Sequence, residues 1–458
     1  MAGLNFFFPQ MTYTNRRQDL IDNVEQSQLL LIGNTYSPMN YKDNHYPFRQ
    51  DSTFLYYVGI NLPDLCAIID TDTGVTTLYG DDLTMDMIIW TGNQPSLAEL
   101  GGRSGITKIK KLSALKNDIN ENVKYLPPYR GEHTLLLQDL LSGNEIIPSM
   151  DFIMAVIEQR NIKSEEEIAE LDKAVGITSR MHTHVMQHAC DGMKEYELVG
   201  IANAYAWSHN CQFSFPPICT INGHTLHNHY HGNTMRDGDM VLMDSGVQME
   251  SGYCGDMTRT YPVSGKYSSL QASLYNIVND AHNHAVSISK PDVYYRDVHL
   301  AAAKIITQGL VALGWMQGDV DAAVAAGAHT LFFQHGLGHM MGLDVHDMEN
   351  LGEVNVGYDE TIQKSTEFGL KSLRLGRKLQ EGNVITIEPG LYVIPELIDK
   401  FQSENKFSSF INYSEVNKYR DAGGIRIEND YVVRVGGIEV LGSPDGTSVA
   451  EVEALMRG

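Results

Sequence analysis

The chain has no Cys-x-x-Cys pair, no long apolar run and no excess of basic charge, and each absence removes a class of function. Its five cysteines, Cys66, Cys190, Cys211, Cys219 and Cys254, are scattered and odd in number. Thiolate zinc clusters need paired cysteines, and disulfide scaffolds are short secreted chains. Scattered thiols in 458 residues imply a reduced, cytoplasmic setting. No apolar stretch reaches the ~18 residues that a transmembrane helix needs. The opening MAGLNFFFPQ has an aromatic run but no basic segment before it, so a secretory signal is not expected. Lys and Arg number 34 against 57 Asp and Glu, a formal net charge of −23. A protein that tracks phosphates carries a basic stripe, so nucleic acid is excluded as the partner, and an anionic membrane surface is excluded with it.

What is present is enough apolar material for sizeable cores, with 43% hydrophobic and 20% charged residues, and a bunching of histidines. Four of the 17 fall between positions 224 and 231, and three between 335 and 346. Residues 1–158 alternate strand-like and helix-like stretches. Leu29–Ile32 and Leu65–Ile69 read as strands, with the turn Thr71–Gly74 leading to a third at Thr76–Tyr79. An α/β domain is expected there. Ser164-Glu-Glu-Glu167 is a capping box, and Ile168, Leu171 and Val175 follow at helical spacing. A second domain is expected over residues 163–458.

That domain contains a repeat. MRDGDMVLMDSG at Met235–Gly246 and LQEGNVITIEPG at Leu379–Gly390 each place an acidic residue and Gly at a turn, an apolar strand after it, and a carboxylate, Asp244 or Glu388, two residues before the closing Gly. A duplicated half-domain is the natural reading. Asp256 follows Asp244 after a turn-rich stretch, so a hairpin would bring the two carboxylates together. In GIRIENDYVV, alternation sets Arg426 and Glu428 on one face and Ile425 and Ile427 on the other. Four carboxylates buried together repel unless cations lie between them. The glycine-bracketed His335-Gly-Leu-Gly-His339 adds imidazole, and His346 follows in GLDVHD. Taken singly, an Asp before Gly is a turn residue and a loop histidine is structural. Their coincidence argues for an oxygen-rich site for two divalent ions, with Mn²⁺ the best match and Co²⁺, Fe²⁺ or Zn²⁺ admissible.

These motifs resemble the aminopeptidase P and prolidase family of metallopeptidases, over nearly the whole chain. Tyr46–Asp64, YPFRQDSTFLYYVGINLPD, is similar to the creatinase and aminopeptidase P type of N-terminal domain. The resemblance implies an α+β architecture: that α/β domain, then a "pita-bread" domain built from a duplicated ααβββ half. It implies metal ligands Asp244, Asp256, His339, Glu388 and Glu428, with Asp256 and Glu428 bridging both ions. The family pattern has eleven residues from the first Asp to the second, and this chain has twelve, which a one-residue insertion in the turn absorbs.

The resemblance also implies mechanism. The metals would lower the pKa of water to give a nucleophile at neutral pH. Glu388 would carry the proton to the leaving imino nitrogen, and His346 would stabilise the oxyanion. His227 and His335 would line the proline pocket, and Arg426 would hold a ligand carboxylate. Arg374 matches a prolidase arginine that binds a dipeptide carboxylate. The substrate would be a proline-containing peptide or Xaa-Pro dipeptide, and a homo-oligomer, dimer or tetramer, is expected by analogy. His224, His229 and His231 are expected in a solvated loop. The alternatives are a peptidase-like binding module without activity and a creatinase-type amidinohydrolase.

Overall fold

The computed structural model describes residues 6–457, so the first five residues of the opening run and the final glycine lie outside the described residues. The chain divides into two compact units, one up to Arg160 together with Met348–Gly352, the other comprising Asn161–Asp347 and Glu353–Gly458.

The first unit is built on a five-stranded mixed sheet in the order Lys108–Lys110, Val75–Tyr79, Cys66–Asp70, Gln28–Ile32, Val123–Tyr125. The three central strands pair antiparallel and the two edge strands join in parallel. The predicted turn is there, closed by Gly74 at φ +69°, and the strand before it is shifted by one residue from the expected Leu65–Ile69. The sequence STFLYYV forms a helix, Ser52–Val58, with every residue buried. A helix that is apolar all round must be core. Asp51 caps it by accepting from Phe54 N at 2.7 Å, and Gly59 ends it in the left-handed region. Arg16 and Arg17 reach its last carbonyls, donating to Tyr56 O and Tyr57 O.

The second unit repeats one pattern. Two helices, Glu165–His188 and Glu195–Ser208, precede strand Met240–Asp244; two more, Ser269–Ile288 and Tyr295–Ala312, precede strand Val384–Ile387. The first helix of each pair opens with a capping box, Ser164 with Glu167 and Ser268 with Gln271. The turns into the two strands also match. Gly238 and Gly382 take φ of +101° and +87°, which glycine adopts at no steric cost. Asp239 Oδ2 accepts from Arg236 N, and Asn383 Oδ1 accepts from Gln380 N, both at 2.8 Å. Each strand then pairs antiparallel with a later one, Thr258–Pro262 or Asn429–Arg434. The turns of the two copies therefore match in hydrogen bonding as well as in sequence.

The halves meet where Glu428 N donates to Thr258 O at 3.1 Å, and where Thr260 and Arg426 exchange two bonds at 3.0 and 3.1 Å. Among the described residues, no helix is long and apolar enough to cross a membrane.

Candidate active site

A cavity of about 690 Å³ lies in the second unit. All ten residues singled out from the sequence line it: His227, Asp244, Asp256, His335, His339, His346, Arg374, Glu388, Arg426 and Glu428. Asp244 ends its strand, opposite Thr258. The expected hairpin forms, with a detour: Val247–Gln248 leaves it to pair with Gln212–Phe213, and Asp256 re-enters two residues before the returning strand.

The alternation expected through GIRIENDYVV is interrupted. One strand ends at Arg426 and the next begins at Asn429. Glu428 lies in this break, where its backbone pairs with Thr258 and its Oε2 accepts from Thr258 Oγ1 at 2.7 Å. The carboxylate therefore reaches the site through a cross-strand threonine and not through the period of one strand.

His339 is held from both sides. Its N–H donates to Thr386 Oγ1 at 3.2 Å, and its Nδ1 lies 3.0 Å from Met340 O. A proton held on Nδ1 by that carbonyl leaves the lone pair on Nε2. Nε2 faces Asp256 Oδ2 at 3.5 Å and Glu388 Oε1 at 3.8 Å. Asp256, His339 and Glu428 each offer a ligand atom within 4.8 Å of the others. Gly338 is required beside them, because a Cβ there would lie 2.1 Å from Thr386 O.

The electrostatics are those of a cation site. Burial, and then the charge of Asp244, lift Asp256 to about 8. Burial lifts Glu388 to about 7, against the pull of His339 and Arg426. Burial and then Asp256 hold Glu428 well above the carboxylate range. Asp244 Oδ1 and Asp256 Oδ1 are buried with no hydrogen-bond partner. Orphaned carboxylate oxygens in a buried acidic cluster are expensive, and divalent cations satisfy them. The donor set fits divalent cations.

Arg426 lines the cavity beside the carboxylates. It pairs with Asp244 Oδ2, donates through Nε to Thr258 Oγ1 at 3.1 Å, and donates to Tyr392 Oη at 2.8 Å. Tyr392 in turn lies 2.8 Å from His335 Nε2, while His335 Nδ1 lies 2.7 Å from Gly336 O. Both His335 nitrogens are thus engaged within the protein. Burial, then Arg426, hold this imidazole down to about 3. His227, on the cavity rim, is also lowered by burial and then by Arg426. His346 packs edge-on against His339, with ring centroids 4.2 Å apart. Arg374 meets Glu353 at 3.2 Å, and Glu353 also pairs with Lys364.

Several contributors were not legible. His229 is exposed in a loop, as expected, and it also lines the cavity, which the sequence did not signal. His231 does turn away, to Pro217 O at 3.1 Å. Phe215, Pro216, Ile218 and Leu226 form an apolar wall that carries no sequence motif. Asp430 accepts from Asp256 N at 2.9 Å, and burial raises its pKa. The acidic stretch 348–369 supplies none of the lining residues.

Comparison with known proteins gives a consistent picture. The pattern of metallopeptidase family M24 matches residues 169–434, and that of the aminopeptidase P N-terminal domain matches residues 13–127. The human Xaa-Pro dipeptidase is 32% identical over 90% of this chain and 85% of its own length. The Escherichia coli K12 Xaa-Pro aminopeptidase is 31% identical over 97% of each. The solved structure of an E. coli aminopeptidase P variant in complex with substrate superposes with a TM-score of 0.82 at 29% identity, covering 98% of both chains. The two-domain architecture is therefore that of aminopeptidase P.

Proposed function

Because this chain belongs to metallopeptidase family M24, we propose that it hydrolyses the imide bond before proline, releasing the first residue of an Xaa-Pro peptide or dipeptide, with two divalent ions held by Asp244, Asp256, His339, Glu388 and Glu428. The observation that carries this reading is the convergence of four carboxylates and one imidazole on a cavity floor where Asp244 Oδ1 and Asp256 Oδ1 have no partner. Bound ions would supply a water ionised near neutral pH and polarisation of the substrate carbonyl.

The chain's own residues do the rest. Glu388, the ligand with the most access to the cavity, takes a proton from the nucleophile and delivers it to the imino nitrogen, which must be protonated to leave. His346 donates to the developing oxyanion. His227 and the apolar wall from Phe215 to Leu226 receive the proline ring. A tertiary amide offers no N–H, so shape and ring contacts must orient it. His335, with both nitrogens tied, acts as a wall of this pocket. Arg426 holds Asp244 and, through Thr258, Glu428.

Mn²⁺ is the proposed metal, on the oxygen-rich donor set. A cytoplasmic setting, supported by five free cysteines, and a homo-oligomer belong to the same reading. So does a catalytic domain beginning near residue 163. Removal of metal with a chelator should abolish hydrolysis of Gly-Pro and of longer Xaa-Pro peptides, and added Mn²⁺ should restore it. Full activity in the metal-free protein overturns the proposal and returns the binding-module alternative. Arg374 bears on substrate length. Its ion pair with Glu353 competes with a dipeptide carboxylate, which favours longer peptides. Cleavage of Gly-Pro alone would assign the chain as a dipeptidase.

A further inference from the structure

The far end of helix Glu165–His188 carries a second grouping of imidazoles. His184 and His188 stand one turn apart, with ring centroids 4.4 Å apart. His188 is exposed and His184 half-buried, and neither lines the cavity. Tyr205, on helix Glu195–Ser208, covers the other side of His184 at 5.3 Å, and His209 stacks on Tyr205 at 4.5 Å. Tyr205 therefore stands between His209 and the pair.

The chemistry of the pair is set by its backbone. His188 Nδ1 lies 2.8 Å from His184 O. A carbonyl can only accept, so the proton sits on Nδ1 and the lone pair on Nε2. A backbone carbonyl that holds the non-ligating nitrogen of a histidine orients the ring for a metal. Side chains four residues apart on a helix share a face. The helix ends at Ala189, and the negative end of its dipole favours a cation there. The bond from His188 is also an ordinary way to close a helix, but closure needs no second imidazole beside it.

We propose that His184 and His188 form a peripheral two-imidazole site for a borderline divalent transition ion, of the Ni²⁺, Cu²⁺ or Zn²⁺ class, with water completing the coordination. Imidazole suits these ions, whereas Mn²⁺, Mg²⁺ and Ca²⁺ are better served by oxygen. The chain then holds two kinds of metal site, one hard and buried, one borderline and at the surface. This assignment stands independently of the peptidase reading.

Ni²⁺ is the probe. Equilibrium dialysis of the Mn²⁺-loaded protein should show one more Ni²⁺ bound per chain than in the His188→Ala or His184→Ala variants. Loss of either ligand should weaken that ion at least about 100-fold, because the second bond is made within the molecule. The variants should keep their Mn²⁺ content, since neither position lines the cavity, and their fold, which circular dichroism checks, since His188 is exposed and His184 only half-buried. The His209→Ala variant should bind Ni²⁺ like the parent. Equal Ni²⁺ stoichiometry in the parent and both variants overturns the site, as does loss of the extra ion in His209→Ala while it persists in His188→Ala.

Discussion

At the scale of single residues, the proposed reading gives Glu388 two tasks, ligation and proton transfer, that one substitution separates. Its Oε1 lies 3.8 Å from His339 Nε2 and its Oε2 3.8 Å from His335 Nδ1. The same carboxylate therefore faces both His339 and His335. In the proposed reading, Glu388→Gln keeps one oxygen for ligation and the shape, and removes the group that would carry the proton. Turnover should fall by about 10²–10⁴, the range for a positioned acid–base group, with the fold retained by circular dichroism. Turnover equal to the parent would remove Glu388 from proton transfer. The five proposed ligands could be picked out because metal chemistry demands residue types that polar loops seldom combine, and because the strand-end carboxylates recur in the repeat; the cavity brings all five together. Tyr392 was not legible. It joins Arg426 to His335 at 2.8 Å on each side, yet a tyrosine in a strand reads as core whether or not its hydroxyl is engaged.

At the scale of elements, the loop that carries His346 is fixed by an ion pair that sequence spacing could not suggest. Lys163 Nζ meets Asp347 Oδ2 at 2.9 Å, and each side chain is 1% exposed. Lys163 N also donates to Gly382 O at 2.9 Å, and Asp347 N to Met340 O at 3.0 Å. The residue before the capping box thus ties the first helix of the unit both to the second copy of the repeat turn and to the His346 loop. Lys163→Met leaves a buried carboxylate without its cation, which costs about 3–5 kcal/mol. Replacing both partners, as Lys163→Met with Asp347→Leu, should cost less than the single change. Urea unfolding of the two variants checks this; a single variant as stable as the parent would reduce the pair to a passive contact. The repeat itself was legible because identical turns need identical residues: a glycine at positive φ and a side-chain acceptor just after it. The break between Arg426 and Asn429 was not, since period-2 alternation looks the same in one strand as in two halves joined at a bend.

For the whole molecule, buried histidines determine how the fold meets acid. His282, His299 and His329 are buried, and their Nδ1 atoms have no hydrogen-bond partner. Burial lowers them to about 4, about 3 and about 4 from the usual 6.5. None lies in the floor of the cavity. Protonating any of them in place would bury a cation with an unmatched N–H. The unfolded chain takes up these protons first, near pH 6.5, so between that value and about 4 it binds more protons than the folded chain. Stability is therefore fully present above pH 6.5 and is lost as the pH falls, at about 1.4 kcal/mol per pH unit for each histidine. Trp315 is a suitable reporter, because it is 1% exposed and stacks on Tyr419 at 5.1 Å, while Trp90 and Trp207 are 88% and 60% exposed. Denaturant unfolding of the metal-loaded protein, followed by its fluorescence, should show a lower stability at pH 5.5 than at pH 7.5. In the His299→Leu variant that difference should shrink by about 1.4 kcal/mol, the share of one histidine over one pH unit. An unchanged difference would mean that His299 accepts a proton inside the folded unit, and that a polar path to it opens in solution.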